Sequence, residues 1–358
     1  MFKNIEVIDC HVHNSNNLTI DYLNDFLNRT PIDRANILAC LSTKSLSLVP
    51  KALRIKEKYP DRFFVFACPD ISAYFLNESN LGEYLKNYIS NLLNMGCDGV
   101  KLLEGKPQMR KMFNIPDFDH ILWEPLWAYL EEEKIPILFH VNDPEEFWDI
   151  NIAPDFAVKE GWLYDETFIN NEVQYTQVLN VLKRHPKLRI CFPHFFFMSR
   201  HLDRLSNILE SYKNVMIDLT PGIEMYENLS NSYDETLKFF YKYHDRIMFG
   251  SDIGGRCVLG KAEERTFDEL ENLRRPKIVL DFLSSDKEIP IESDGHYIIN
   301  RPSFIMRCLN LPHNILEEIL GKNFLKFVGE SKKINLNSVL LEEEYEKKRL
   351  EKIEDKLR

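Results

Sequence analysis

Short apolar runs recur along the chain, separated by longer segments in which apolar residues keep helical spacing. Within several runs, such as "VFAC" and "ILF", consecutive residues are apolar, which is typical of strands buried on both faces in a parallel sheet. The runs begin roughly 25 to 55 residues apart, as expected for repeated strand–helix units. The eight runs are "IEVIDC" (5–10), "ANILACL" (35–41), "RFFVFAC" (62–68), "DGVKLL" (98–103), "IPILFH" (135–140), "LRICFPH" (188–194), "NVMIDLT" (214–220) and "RIMFGSD" (246–252).

The segments between these runs have the period of amphipathic helices. In residues 81–96 apolar side chains recur three or four positions apart, and Gly96 supplies a common helix end. Residues 171–186 show the same spacing, with basic residues late in the segment and Pro186 at its end. Eight strands alternating with helices predict an α/β fold, a (β/α)8 TIM barrel, over residues 1–330. A doubly wound dinucleotide-binding sheet is disfavoured because no GxGxxG motif follows an early strand.

Three segments go beyond this repeating pattern. Residues 143–170 are rich in aromatic side chains and are expected over the C-terminal mouth of the barrel, and residues 255–300 form a second insertion. Residues 331–358 read as a charged C-terminal helical tail with Glu343–Lys347 and Glu344–Lys348 pairs. We expect this tail to be solvated, with docking on a partner subunit as the alternative.

Composition narrows the classes of partner and compartment. The chain has 358 residues, 44 % of them hydrophobic, and a net charge of −11, which argues against nucleic acid or an anionic membrane as partner. Its seven cysteines, an odd number without a CxxC pair, suit a reducing compartment. No secretory signal and no apolar segment long enough to span a membrane are apparent. We therefore expect a soluble cytoplasmic protein.

Polar residues at strand ends point to a metal site. His11 and His13 lie one residue apart in a predicted strand, so both imidazoles project from the same face. The alternative is one histidine hydrogen-bonded at a strand end and the other in solvent. Further polar residues end other strands, and in a barrel all these ends meet at one face. They are Lys101 on the fourth strand, His140 on the fifth, His194 on the sixth and Asp252 on the eighth, with Asp218 inside the seventh.

Three neutral imidazoles and one carboxylate suit Zn²⁺ and leave a coordination position open for water. The metal lowers the pKa of that water to about 7. A nearby carboxylate can take up its proton, and another histidine can polarise a carbonyl group.

Five motifs together resemble the amidohydrolase superfamily, and more narrowly its amidohydrolase-related branch, which includes aminocarboxymuconate semialdehyde decarboxylase. They are "IDCHVH", "PILFH", "ICFPH", "MFGSD" and "ILGKNFLKFVG", between about residues 5 and 329. The resemblance implies that His11, His13, His140 and Asp252 ligate one divalent metal, Zn²⁺ or alternatively Mn²⁺. It also implies that His194 is the catalytic partner, that Asp252 doubles as proton acceptor, and that a homodimer is compatible with the family.

Four further residues are candidates for binding substrate. Lys101 either reaches substrate, pairs with Glu104, or is carboxylated and bridges two metals as in some superfamily members; we expect a single metal. Arg256 either clamps a substrate carboxylate or forms a surface salt bridge. His296 and Trp148 are mouth-loop candidates whose alternatives are lining a turn and apolar cover.

The expected function is hydrolysis of an ester, lactone, amide or C–C bond in a small organic molecule. The alternative is a metal-dependent nonoxidative decarboxylase of a small carboxylic acid, which needs the same ligands. A phosphoesterase with an HxH strand is disfavoured because "SDIGG" lacks the Asp-x-His of that family. A binding protein that kept the barrel and lost activity is a further alternative.

Overall fold

The computed structural model describes residues 4–41, 47–75, 79–113, 115–159, 161–222, 224–255, 268–292 and 303–357. Parallel strands form one curled sheet in chain order, which confirms the predicted (β/α)8 barrel. The strands of this sheet are β1 (Ile8–His13), β2 (Arg34–Ala39), β3 (Phe63–Ala67), β4 (Gly99–Gly105), β5 (Pro136–Val141), β6 (Arg189–Phe192), β7 (Val215–Asp218), β8 (Ile247–Met248) and β9 (Ile253–Gly254).

The eighth barrel strand is split into the short strands β8 and β9, and together they close the sheet. Ile247 of β8 pairs with Ile217 of β7, while Ile253 of β9 pairs with Val12 of β1. Between the two strands, the Phe249 carbonyl accepts a hydrogen bond from the Cys10 amide at 2.9 Å. The break places residues 249–252 at the mouth of the barrel, beside β1.

Helices cover the outside of the barrel. Gly96, with φ of 118°, ends α4 in the left-handed conformation that the sequence predicted for a terminal glycine. The helices are α1 (Tyr22–Leu27), α2 (Val49–Lys58), α3 (Ser72–Phe75), α4 (Leu81–Met95), α5 (Pro107–Phe113), α6 (Glu124–Glu132), α7 (Asp155–Lys159), α8 (Asn171–Arg184), α9 (Leu202–Ser211), α10 (Met225–Asn231), α11 (Tyr233–Tyr243), α12 (Glu269–Ser284), α13 (His313–Glu317), α14 (Asn323–Val328) and α15 (Leu336–Leu357).

The insertion at 143–170 follows β5 directly and forms a small aromatic core of its own. Phe147, Ala157 and Tyr164 are buried in it, and Trp148 and Trp162 pack against them. The second insertion contributes α12 and the strand β10 (Glu288–Ile291), which pairs with β11 (Phe304–Arg307). Arg256 and His296 belong to segments outside the described residues.

The C-terminal helix differs from the solvated tail that we expected, because α15 packs on the barrel's own helices. Arg349 is only 3 % exposed and its Nε lies 3.2 Å from Asp70 Oδ2. The predicted Glu344–Lys348 pair is formed at 2.9 Å, whereas Glu343 pairs with Arg54 of α2 at 2.8 and 2.9 Å rather than with Lys347. A pairing between distant segments cannot be recognised from charge spacing within one helix, which explains the error. Among the described residues, no helix has both the length and the apolar character needed to cross a membrane.

Candidate metal centre and active site

His11, His13 and Asp252 form a compact group of potential metal ligands. The two histidines are separated by one residue on β1, so they lie on the same face of the strand, and they are 1 % and 7 % exposed. Both of their Nε2 atoms face Oδ1 of Asp252, at 3.5 Å from His11 and 3.1 Å from His13. Their candidate ligand atoms all lie within 4.8 Å of one another. This spacing suits a single ion bound between them.

The other ring nitrogen of each histidine faces an outer partner. Nδ1 of His11 lies 3.0 Å from Oδ2 of Asp218, and Nδ1 of His13 lies 3.5 Å from Sγ of Cys40. Metal-ligating histidines characteristically engage an outer carboxylate, carbonyl or water through the second nitrogen. Two imidazole nitrogens and a carboxylate oxygen are donors that Zn²⁺ accepts. The residues present therefore fit the metal ion implied by the sequence motifs.

Asp252 occupies a strained turn between β8 and β9. Its φ is 61°, a left-handed conformation that is costly for a residue with a side chain. The Asp252 amide donates to the carbonyl of His11 at 2.7 Å, and Oδ2 accepts from Nη1 of Arg275 at 3.1 Å. The strain is thus offset by contacts that aim Oδ1 at the two histidines.

His194 begins a second strained turn at the end of β6. It and the next three residues, Phe195 to Phe197, all have φ between 51° and 58°. The His194 amide donates to Oδ1 of Asp218 at 3.0 Å, so one carboxylate holds both this turn and His11. The His194 ring lies 5.4 Å from that of His11, centroid to centroid. Its buried Nδ1 has no hydrogen-bond partner among the residues that the structure describes.

His140 lies beside this group but not within its ligand spacing. Its ring centroid is 5.2 Å from that of His194, and its Nε2 is 3.4 Å from Oδ1 of Asp143. His140 does not join the group formed by His11, His13 and Asp252. Its assignment as a fourth ligand therefore stays a prediction.

Burial and neighbouring charges set the protonation of the site. Burial lowers the pKa of His11 well below its usual value, as it does for His194, and the positive charge of Lys101 adds to the effect at His11. Burial raises the pKa of Asp252, but the hydrogen bond from His13 and the charge of Arg275 outweigh it and hold that pKa well below the usual range. Neutral imidazoles and an ionised carboxylate are the forms that bind metals.

His13 is the exception among the imidazoles. Burial lowers its pKa, but Cys40 and Asp252 outweigh that effect and raise it to about 9. Ligation through Nε2 would therefore require His13 to give up a proton, which makes metal binding weaker at low pH.

Lys101 lies inside the barrel and is not paired with Glu104, the alternative that the sequence offered. The residue is fully buried, and Nζ has no hydrogen-bond partner among the described residues. Glu104 instead accepts a hydrogen bond from Tyr74 at 3.2 Å. The Lys101–Glu104 pair is therefore absent from the described contacts, while a role of Lys101 toward substrate stays a prediction.

The aromatic insertion reaches the site through Asp143. That carboxylate accepts hydrogen bonds from Lys106 Nζ at 2.9 Å and Tyr164 OH at 2.5 Å, in addition to its contact with His140. The half-buried Trp148 packs with its ring centroid 5.2 Å from that of Tyr164. This packing is what the apolar-cover alternative predicts, and a role of Trp148 toward substrate stays a prediction.

Reasoning from the sequence missed three residues that orient the site, Cys40, Asp143 and Arg275, and it noted Asp218 without giving it a role. Asp218 and Cys40 hold the two histidines of β1, Asp143 contacts His140, and Arg275 contacts Asp252. Asp218 offered a usable signal because it is a charged residue inside the apolar seventh run, 214–220. Arg275 offered none, since it lies in a helix beyond the eighth strand.

Comparisons with known proteins identify the family of this chain. Residues 90–320, more than half of the chain, match the family model described as Amidohydrolase. A comparison with curated proteins gives no significant match.

Three solved structures have similar folds. An amidohydrolase II is 13 % identical with a TM-score of 0.54, and a probable 2-pyrone-4,6-dicarboxylic acid hydrolase from Acinetobacter baumannii is 13 % identical with a TM-score of 0.51. A 2,6-dihydroxybenzoate decarboxylase bound to 2,6-dihydroxybenzoate is 12 % identical with a TM-score of 0.51. Each alignment covers 91 % of this chain and 100 % of the other. At these identities the likeness establishes the fold.

Proposed function

Because the chain belongs to the amidohydrolase family, we propose that it is a metal-dependent hydrolase of a small organic molecule. The bond cleaved would be an ester, lactone, amide or C–C bond. The proposed cofactor is one divalent ion, Zn²⁺ or alternatively Mn²⁺, held by His11, His13 and Asp252, with His140 as a further ligand.

The observation that carries the proposal is the convergence of three ligand atoms, two from strand β1 and one from the turn between β8 and β9. Nε2 of His11 and Nε2 of His13 lie within 3.5 Å of the same Asp252 oxygen. In both histidines Nδ1 faces an outer partner and Nε2 faces one common point. This arrangement is typical of metal-ligating histidines rather than of histidines with a purely structural role.

When bound, a divalent ion supplies Lewis acidity and a water of lowered pKa. The protein contributes the remaining chemistry. The ionised Asp252 can accept a proton, and the neutral His194 presents Nδ1, a nitrogen that can donate to or accept from a substrate oxygen. The aromatic cluster around Phe147 and Tyr164 adjoins His140 through Asp143 and favours organic substrates.

A nonoxidative decarboxylase is the second candidate. The structures that share this fold include a decarboxylase of 2,6-dihydroxybenzoate as well as a hydrolase of a dicarboxylic acid. Both reactions can use one metal site. In the decarboxylase the carbon that loses CO₂ must gain a proton, which His194 can donate from its ring N–H and Asp252 only after it has taken up a proton. The ligand group alone does not favour one over the other, so the choice depends on products.

Elemental analysis of purified protein tests the metal site. We expect about one equivalent of zinc or manganese in the wild type and its loss in H11A and D252A. H185A is the matched control, because His185 is also buried but pairs with Glu131, at 3.2 Å from its Nδ1, away from the site. A wild type without metal, even after zinc and manganese are supplied, would contradict the proposal.

A metal-loaded sample would then be incubated with panels of esters, lactones and aromatic carboxylic acids. Appearance of a new acid or alcohol without CO₂ supports the hydrolase. Release of CO₂ from an aromatic acid supports the decarboxylase instead.

A further inference from the structure

The first half of α12 is built against the end of the eighth barrel strand. Asn272 and Arg275 lie one and four positions after Glu271, which places the three residues on one side of the helix. Asn272 Oδ1 accepts a hydrogen bond from the Gly254 amide at 2.9 Å. This contact ties the helix to β9, two residues after Asp252.

Arg275 joins this helix to the proposed metal ligand. The residue is fully buried, which is unusual for arginine. Its Nη1 donates to Asp252 Oδ2 at 3.1 Å, and its Nε donates to Glu271 Oε1 at 2.9 Å. The rigid planar guanidinium therefore has a fixed orientation when it meets Asp252.

The two oxygens of Asp252 have different tasks in this arrangement. Oδ2 is held by Arg275, while Oδ1 faces the Nε2 atoms of His11 and His13. The left-handed backbone conformation of Asp252 is itself strained, so contacts from other residues are needed to keep the residue and its carboxylate in this position. The guanidinium holds the carboxylate with one oxygen turned toward the histidines.

We propose that Arg275 is a positioning residue for the metal centre, acting through Asp252 rather than on substrate. The inference rests on the proposed function, since it assumes that Asp252 ligates a metal. Without the guanidinium, Oδ2 loses its partner, and Asp252 can rotate away from the point that both histidines face. Glu271 would also keep a buried carboxylate without this counter-charge, so a loss of stability is expected beside the effect on the metal.

Titration of metal-free protein with Co²⁺ separates the two effects, because the visible d–d absorption of Co²⁺ reports ligand geometry and the titration reports affinity. We expect R275M to bind Co²⁺ about 10- to 100-fold more weakly, the range found for outer partners of metal ligands, with an altered spectrum. R349M is the matched control, because Arg349 is also buried and paired with an aspartate, on α15. It should lower the melting temperature and leave Co²⁺ affinity and spectrum unchanged.

R275Q is the second variant, since its side chain is too short to replace Nη1 at Asp252, but its amide can still donate to Glu271 as Nε does, which methionine cannot. Wild-type affinity and spectrum in any folded Arg275 variant would overturn the proposal while leaving the metal centre intact. Failure of the wild type to bind Co²⁺ would instead overturn the metal centre itself, and the role of Arg275 with it.

Discussion

Asp218 controls which nitrogen of His11 carries the proton, so its replacement by asparagine tests the site sharply. Oδ1 of Asp218 accepts from the amides of His194 and Thr220 at 3.0 and 2.9 Å, and Oδ2 faces Nδ1 of His11 at 3.0 Å. An ionised carboxylate only accepts hydrogen bonds, so Nδ1 of His11 must donate. Nε2 is then left with its lone pair toward Asp252.

In D218N the hydrogen-bonding pattern forces the other tautomer. The amide oxygen of asparagine must remain with the two backbone N–H groups, because its NH₂ group cannot accept their hydrogen bonds. The NH₂ group then faces Nδ1 of His11, which has to become an acceptor. The proton of the neutral ring moves to Nε2, the atom that should bind the metal. The shape of the site is kept while one ligand is disabled.

The expected loss can be estimated from the contacts. Loss of an outer partner lowers metal affinity by roughly 10- to 100-fold, or about 1.4 to 2.8 kcal/mol. We expect the upper end, because returning His11 to the ligating tautomer would set its Nδ1–H against the NH₂ of asparagine. The measurement is the Zn²⁺ dissociation constant, by competition with a chelator, together with urea unfolding of the metal-free protein.

D98N provides the control for burial. Asp98 is also a buried carboxylate, and it accepts from Lys56 Nζ at 2.8 Å and the Val65 amide at 2.8 Å, remote from the ligand group. This variant should lose stability without losing Zn²⁺ affinity. A folded D218N protein that binds Zn²⁺ as tightly as the wild type would refute the tautomer argument.

Three further outcomes are expected. Burial raises the pKa of Glu346 from 4.5 to about 7, so the folded state holds this proton more tightly and the stability of the wild type falls as pH rises from about 4.5 to 7. E346Q, which can still accept from the Ser47 amide, does not titrate, so its free energy of unfolding in urea should rise relative to that of the wild type by up to about 3 kcal/mol between pH 4.5 and pH 8. Parallel pH curves for the two proteins would contradict this. G254A should unfold at markedly lower temperature, because Gly254 has φ of 101° and a Cβ there would overlap the carbonyl of His13; an unchanged melting temperature would show that the chain relaxes freely. H194Q should keep its metal by elemental analysis and lose about 10²- to 10⁴-fold in turnover of whichever substrate is found, whereas loss of the metal would make His194 a ligand instead.

The barrel could be predicted because its signals are local. Strands such as β3 are apolar on both faces, and helices such as α4 carry both their period and their terminal glycine in a short segment. The eighth strand was less predictable, since the run 246–252 gives only Ile247–Met248 as regular strand before the turn at Asp252. The turn breaks the apolar pattern because its residues serve the site.

The candidate ligands could be predicted for a related reason. His11 and His13 are neighbours in sequence, and the ends of parallel strands meet at one face of any barrel. Topology alone therefore brings Asp252 toward them, without knowledge of a single side-chain contact. His140 marks the limit of this argument, because reaching the correct face does not determine whether its nitrogen turns to the metal group or to Asp143.

The residues that orient the ligands depend on contacts that no local pattern encodes. Asp218 is 207 positions from His11, and Arg275 approaches Asp252 only because α12 packs across the end of β9. Charge spacing along a helix is a poor guide to such residues, as α15 also shows, where Arg349 reaches across to Asp70. Any helix or strand that packs beside a ligand can supply such an aspartate or arginine, provided that the side chain is buried next to the ligand. Topology therefore predicts which residues can bind a metal, whereas tertiary packing determines how firmly they are held.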